Sequence, residues 1–293
     1  MRMIIKNFNQ KYNHKSYNLK NKIKISFEVF PPSNSFLEDS LLNSVRILNQ
    51  CRPDFFSVTS STRVDSRNKT FLIIQKIRVL TNAIVFAHFT SAGLTTYEIN
   101  DLASQYWNNG IKNIIALRGD LPDQCSQKVI YASDLIKLLN LINNFEIWVA
   151  AYPEIHPESR NLQEDLINLK KKSDLGVKNA ITQFFFSVEK FIKFREKCLN
   201  FGLDINLIPG ILPILNMEQL KKFSNMTRVD VPKWIFSSFE KFSNNEKQRI
   251  NLSVNIAVNL IMRLYHEGIR HFHLYTLNQS YLSLQICQKL GLI

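Results

Sequence analysis

From about residue 25 to the C-terminus, short β-rich runs alternate with stretches of apolar residues at helical spacing. Residues 25–30 read as a strand that stops at Pro31-Pro32, where the N–H groups a ladder needs are missing. Leu37, Leu41, Leu42, Val45 and Leu48 follow on one helical face, and Ser35 with Glu38 predicts a capping box at its start. The next strand is predicted at 54–59 and the next helix at 70–80; a strand at 84–90 then precedes a helix ending near Trp107. Further strands are predicted at 112–117, 145–151, 180–185, 206–209 and 271–275, with helical pattern between them. The interval from Pro209 to His271 is twice the usual length. It predicts two helical pieces, around 217–226 and 247–266, flanking a bend at Pro232–Trp234.

About eight β–α repeats with no Pro/Ser-rich linker imply one parallel sheet in an α/β fold. Eight repeats in roughly 270 residues fit a closed (β/α)8 TIM barrel, a single domain over residues 25–293 preceded by a basic leader at 1–24. An open doubly wound sheet is the alternative. It is weakened because the chain has eight glycines and no two of them lie two or five positions apart, which excludes G-x-G-x-x-G as well as the phosphate loop ending in G-K-[ST].

With 45% hydrophobic and 21% charged residues, the chain can bury a sizeable core, and disorder is excluded. No apolar run approaches the ~18 residues of a membrane helix, and no signal-peptide pattern is present. A soluble, cytoplasmic protein without membrane association is expected. Cys51, Cys125, Cys198 and Cys287 lie more than seventy residues apart, which fits a reducing compartment and argues against zinc knuckles. The net charge is +13, but residues 1–24 supply seven of those charges and no acid, leaving six to the rest. The lysines of the body are scattered, so a nucleic-acid surface is the weaker reading and a favourable field for anionic small molecules the stronger.

Barrel enzymes carry their chemistry at the C-terminal ends of strands. The polar residues predicted there are Glu28, Thr59, His88, Arg118 with Asp120, Tyr152, Gln183 and Tyr275; up to Gln183 they recur every 29–34 residues, the period of one βα unit. Glu28 has Phe27, Val29, Phe30 and two prolines around it in sequence. Such a setting predicts a raised pKa and a proton held near neutrality, with a buried ion pair as the alternative. His271 and His273 share a strand face, but no third metal ligand stands at usable spacing, so no metal is expected. No strand ends in Lys, so a Schiff-base chemistry has no nucleophile. In the helix after the fifth strand, Asp165, Asn168 and Lys172 form a polar stripe with Lys171 adjacent, either a solvated face or a contact for ribose and pyrophosphate.

Several strings resemble the bacterial methylenetetrahydrofolate reductases: Ser26-Phe27-Glu28-Val29-Phe30-Pro31-Pro32, Tyr106-Trp107-Asn108-Asn109-Gly110, Ala116-Leu117-Arg118-Gly119-Asp120-Leu121-Pro122, Tyr131-Ala132-Ser133-Asp134-Leu135, Ala150-Ala151-Tyr152-Pro153-Glu154, and Ala180-Ile181-Thr182-Gln183-Phe184-Phe185-Phe186. Pro209-Gly210-Ile211-Leu212-Pro213 and Phe272-His273-Leu274-Tyr275-Thr276-Leu277-Asn278 extend the match to the C-terminus. The resemblance implies an FAD-dependent barrel that passes hydride from NADH or NADPH, NADH being usual in short bacterial forms, to 5,10-methylenetetrahydrofolate in ping-pong turnover. The product, 5-methyltetrahydrofolate, supplies methyl groups for methionine synthesis. It further implies a homotetramer and, for this short form, no regulatory domain.

By the same resemblance, Glu28 is the general acid and Asp120 lies beside the flavin and the pterin. FAD contacts carry over to His88, Arg118, Gly119, Asp120, Ala132, Tyr152, His156, Asp165, Asn168, Lys171 and Lys172. NADH contacts fall on Thr59, Gln183 and Phe223, and folate contacts on Glu28, Asp120, Gln183, Gln219, Phe223 and Gln279. The chain departs from the family pattern at Ser60-Ser61-Thr62, where Tyr-Gly-Ala is usual, and at Ser159, where Ala is common. It departs again at Lys171 and Gln279, where Arg is usual, and Lys keeps the charge but not the bidentate fork. Two other classes are carried as alternatives: a different flavin barrel resembling proline dehydrogenase, and a basic barrel that binds nucleic acid.

Overall fold

The computed structural model describes residues 17–60, 64–120 and 129–293, with only the backbone of 64–66. Residues 1–16 of the leader, Ser61, Thr62, Leu121, Pro122 and Cys125 lie outside the described residues. Strands and helices alternate: β1 (Lys24–Val29), α1 (Ser35–Asn49), β2 (Phe56–Val58), α2 (Val64–Thr81), β3 (Val85–Thr90), α3 (Thr96–Asn108), β4 (Asn113–Leu117), α4 (Ala132–Ile142), β5 (Glu146–Ala151), α5 (Leu162–Asp174), β6 (Asn179–Thr182) and α6 (Val188–Asn200). Then come β7 (Asn206–Ile208), β8 (Gly210–Ile211), α7 (Met217–Thr227), α8 (Lys233–Lys241), α9 (Glu246–His266), β9 (His271–Tyr275) and α10 (Ser280–Lys289).

Every pairing is parallel, in the order β7-β6-β5-β4-β3-β2-β1-β9-β8. β7 and β8 are one strand interrupted at Pro209, whose first half pairs with β6 and whose second half pairs with β9. The carbonyl of Pro209 also accepts from the His273 N–H at 2.9 Å. The sheet thus closes on itself as the expected (β/α)8 barrel.

Strand alternation sorts the side chains. Ile25, Phe27, Val29, Phe272 and Leu274 point outward into the main core beneath the helices. Inside the barrel, Phe55, Phe86, Ile115, Trp148, Ile181 and Ile208 form a separate apolar cluster. The rings of Phe55, Phe86 and Trp148 meet with centroids 4.5–5.0 Å apart, and burying each contributes roughly 2–3 kcal/mol. The end of the leader is held down too: the Tyr17 and Leu19 N–H groups donate to the Lys289 and Leu290 carbonyls at 3.0 and 2.9 Å.

Three local expectations are corrected. The cap of α1 is Asn34, extended at φ −146° with its side chain accepting from the Leu37 N–H, so Ser35 is already helical and no box forms with Glu38. A full capping box occurs instead at Thr95 and Glu98 before α3. β6 ends at Thr182 rather than 185: the Gln183 N–H makes the last bond to β5, to the Ala151 carbonyl, and no pairing continues beyond it. The long interval holds three helices, not two: Pro232 caps α8 at φ −55°, using its fixed backbone angle to start a helix at the predicted bend.

Gly210 sits where β8 passes under the Tyr275 ring, and a Cβ there would lie 2.6 Å from that ring and against the Thr182 carbonyl. The backbone carbonyl cannot yield. We therefore predict that Gly210→Ala costs on the order of 3 kcal/mol, read as a lower urea midpoint. An unchanged midpoint would show that the barrel seam adjusts freely.

Candidate active site

Register brings the site together. β1 and β9 pair Lys24 with His271, Ser26 with His273 and Glu28 with Tyr275, and all six alternate inward. Glu28 stands one residue from the C-terminal end of β1, its side chain 22% exposed. Its Oε2 lies 3.3 Å from His88 Nε2, on β3, and 3.6 Å from His273 Nε2. Burial alone pushes the Glu28 carboxyl up, but His273 and His88 outweigh it and hold the group at about 2. The expectation of a carboxyl kept protonated by apolar neighbours is therefore wrong for this structure. Phe27 and Val29, adjacent in sequence, face the other side of the strand, and imidazoles from 60 and 245 residues away face the carboxyl.

The end of β1 is pinned from β9 by residues that the sequence reading did not single out. Thr276 Oγ1 donates to the Glu28 carbonyl at 2.6 Å. Asn278, at φ +61°, exchanges two side-chain bonds with the backbone of Phe30, at 2.9 and 2.8 Å. Tyr275 Oη donates to the Thr182 carbonyl at 2.7 Å and spans the barrel mouth. Burial keeps that phenol far above its usual range, helped by the nearby Glu28 and Tyr152.

A second group of predicted residues gathers around the ends of β4 and β5 and the start of α5. Arg118 makes a bidentate pair with Glu158, a partner the sequence reading missed. Gly119 follows at φ +81°, a left-handed turn that favours glycine, and Asp120 is exposed. Asp165 accepts from the His156 N–H at 2.7 Å and from the Ser159 hydroxyl, so the departure at Ser159 adds a donor to this loop. The His156 ring packs edge-on to Tyr152 with centroids 4.5 Å apart, and burial lowers its pKa. Burial pushes the Tyr152 phenol up to about 12. Lys172 donates to the Ala150 carbonyl at 3.0 Å, and burial lowers its ammonium to about 8 against the pull of Asp165. Asn168 and Lys171 are exposed on the same helix, and Ala132 opens α4.

The remaining predicted residues lie around the rim. The Thr59 N–H donates to Val29 at 2.9 Å, while Gln183 Oε1 accepts from the Phe184 N–H at 3.0 Å. Gln219 is exposed on the first turn of α7, and Phe223, one turn on, packs against a small apolar cluster under α7 and α8. A cleft of about 750 Å³ takes in Gln219, Gln279, Tyr275, Phe236 and Arg249. Neither Glu28 nor Phe223 lines it, so the described geometry places the folate-assigned glutamines in one cleft and the carboxyl deeper in the barrel mouth.

The rim suits an anionic, ring-bearing cofactor such as FAD. Thr90 Oγ1, at the end of β3, is buried without a hydrogen-bond partner, a costly state that a ligand would relieve. Arg118 and Lys172 add cations beside a glycine turn. Among the described residues no group of three His, Cys, Asp or Glu side chains is arranged to hold a metal ion, and no helix is long and apolar enough to cross a membrane.

A sequence profile of methylenetetrahydrofolate reductase matches residues 12–291. The chain is 44% identical to the 5,10-methylenetetrahydrofolate reductase of Buchnera aphidicola from Acyrthosiphon pisum, over 98% of this chain and 100% of the relative. It is also 44% identical to the Escherichia coli enzyme of the same name, over 92% and 91%. Among solved structures, an uncharacterized Clostridium thermocellum protein described as binding two copies of 5-methyl-5,6,7,8-tetrahydrofolic acid superimposes with a TM-score of 0.67, covering 99% of both chains; at 15% identity this speaks to the fold alone. Full-length similarity of this order, on a closed parallel barrel whose motifs converge at one rim, shows that the chain belongs to the methylenetetrahydrofolate reductase family.

Proposed function

We propose that this chain reduces 5,10-methylenetetrahydrofolate to 5-methyltetrahydrofolate with NADH or NADPH, in two half-reactions at one site. The observation that carries the reading is the Glu28 carboxyl at the barrel mouth between His88 and His273, in a chain similar over its whole length to enzymes of that name. Bound FAD would supply the two-electron step, accepting hydride from the nicotinamide and yielding it to the one-carbon unit.

In the ligand-free form Glu28 is ionised, and the neighbouring imidazoles stabilise that charge. Burial already favours the protonated form. A bound folate that displaces water from the mouth strengthens that term, so a proton can move onto Glu28 Oε2 and from there to the substrate nitrogen. Loss of that C–N bond opens the imidazolidine ring to an iminium ready for hydride. Arg118 and Lys172 attract a pyrophosphate, and the Gly119 turn lets the backbone approach it. Asp120 stays at the exposed edge, where a carboxylate opposes accumulation of negative charge on a reduced ring and favours hydride departure. Gln183 would serve both substrates, with Thr59 on the NADH side. Phe223 would offer an aromatic face and Gln219 a polar contact to the folate. A homotetramer and a cytoplasmic location complete the proposal, as in similar proteins.

The purified protein should be yellow, bleach with NADH and recolour with methylenetetrahydrofolate; a colourless protein that binds DNA or RNA salt-dependently would favour the basic-barrel alternative. Glu28→Gln should still bleach but recolour at least 100-fold more slowly; failure at bleaching instead would contradict the assigned role. Lys172 yields a second prediction. Its folded pKa of about 8 lies below the usual 10.5, so the protonated lysine costs stability below about 8, and the cost fades as pH rises towards 10.5. Lys172→Met should stabilise the FAD-free protein by ~1 kcal/mol at pH 7, lose that gain by pH 10, and bind FAD more weakly. Calorimetry across this pH range and a flavin titration check both halves. Finally, Gln279→Arg should lower the KM for long polyglutamate tails relative to the monoglutamate, read from a tail-length series.

A further inference from the structure

The proposed chemistry leaves buried polar groups unused. On β2 to β7 the inward positions below the rim are largely aromatic and aliphatic, whereas on β1 and β9 they are Lys24, Ser26, His271 and His273. Ser26, Ser57 and His273 are fully buried. Such groups are costly in an apolar interior unless bonded to one another, and here they are. Ser26 Oγ lies 2.7 Å from His273 Nδ1 and 3.2 Å from His271 Nε2. His273 Nε2 lies 3.4 Å from Ser57 Oγ and 3.6 Å from Glu28 Oε2. At the other end His271 Nδ1 is 3.9 Å from Asp54 Oδ2, and Asp54 Oδ1 is 3.0 Å from Lys24 Nζ. The Asp54 and Lys24 side chains are 30% and 66% exposed. The column therefore runs from solvent at the N-terminal end of the barrel to the carboxyl at its mouth.

We propose that Asp54, His271, Ser26 and His273 form a proton path through the barrel that recharges Glu28 from the face opposite the substrates. The inference rests on the reading of Glu28 as the acid. Each turnover would consume one proton there, and a substrate bound at the mouth would stand between Glu28, 22% exposed, and water on that side. A proton taken up at His271 Nδ1, beside Asp54, releases the Nε2 proton to Ser26. Ser26 passes its own hydroxyl proton to His273 Nδ1, and His273 Nε2 gives one to Glu28 Oε2. One proton goes in and one comes out; each imidazole changes tautomer in the passage and changes back before the next. Burial holds the His271 ring at about 4 and lowers that of His273, so both rest neutral at pH 7, the state in which a ring can accept and donate at once. The charged and titratable groups facing the column are Lys24, Asp54, Glu28, His88 and Tyr275, with Tyr152 acting at a distance on Tyr275. His271 and Ser26 are positioning residues on this account, since neither touches substrate.

Ser26→Ala breaks the column in its middle, Ser26→Thr keeps the hydroxyl, and His271→Gln keeps hydrogen bonding but cannot relay a proton. In stopped flow, Ser26→Ala and His271→Gln should slow recolouring about tenfold or more and enlarge its solvent deuterium isotope effect. Bleaching by NADH and the KM for folate should hold, and Ser26→Thr should restore the rate. In the FAD-free protein, imidazole NMR should show His271 and His273 responding together to pH, and Ser26→Ala should separate them. Wild-type recolouring and isotope effect in both broken variants, or a loss falling equally on bleaching, overturns the path. Should Ser26→Ala fail to fold, His271→Gln decides by the same two readouts. Glu28→Gln separates the two ideas: if it recolours normally the acid assignment fails, whereas if it does not and the column variants do, only the path fails.

Discussion

The parallel register between the first and last strands governs this protein. Because Ser26 meets His273 and Glu28 meets Tyr275, a carboxyl and an imidazole separated by 245 residues come within 3.6 Å. A slip of one residue would turn both columns outward into the helix-facing core. Barrel closure and assembly of the site are therefore the same event. The residues that secure the closure, Pro209 splitting its strand, Gly210 beneath the Tyr275 ring, and Thr276 with Asn278 holding the end of β1, are the ones that fix the carboxyl in place.

Two regions of the rim solve different electrostatic problems. On the β1–β9 side, one carboxyl is held among imidazoles and hydroxyls that bond to one another. On the β4–β5 side the cations are fixed: Arg118 is tied to Glu158, and Lys172 is held against the Ala150 carbonyl in a position where its charge is expensive. A protein that never bound an anion would gain by replacing that lysine. On the proposed reading, keeping it trades stability for affinity, a familiar exchange at functional sites.

The fold was largely legible because its signals are local. Alternation of period two, prolines after the first strand and polar residues recurring about every 30 positions locate the strands and their rim to within a few residues. The errors also have local causes. Asn34 and Ser35 are both good cap formers, and only the extended backbone at Asn34 decides between them. Pro232 signals a turn and a helix start equally well. The electrostatics of Glu28 were not legible, since its sequence neighbours lie on the opposite strand face while His88 and His273 arrive through pairing. His273 reads in the sequence as half of a metal pair without a third ligand and as part of a family-like string, although its alternation with Tyr275, a predicted rim residue, puts it on the inward face. Arg118 was found, but its partner Glu158 was not, because a loop residue forty positions away leaves no periodic trace.

The pairing of Lys24 with His271 has one further result. A nascent chain leaving the ribosome displays β1 as a bare edge until β9, about 240 residues later, has been made. Fragments that stop short of β9 hold the carboxyl without the second imidazole and keep an open sheet margin exposed to other chains. Competence thus arrives all at once, with the last strand, and incomplete products lack it altogether.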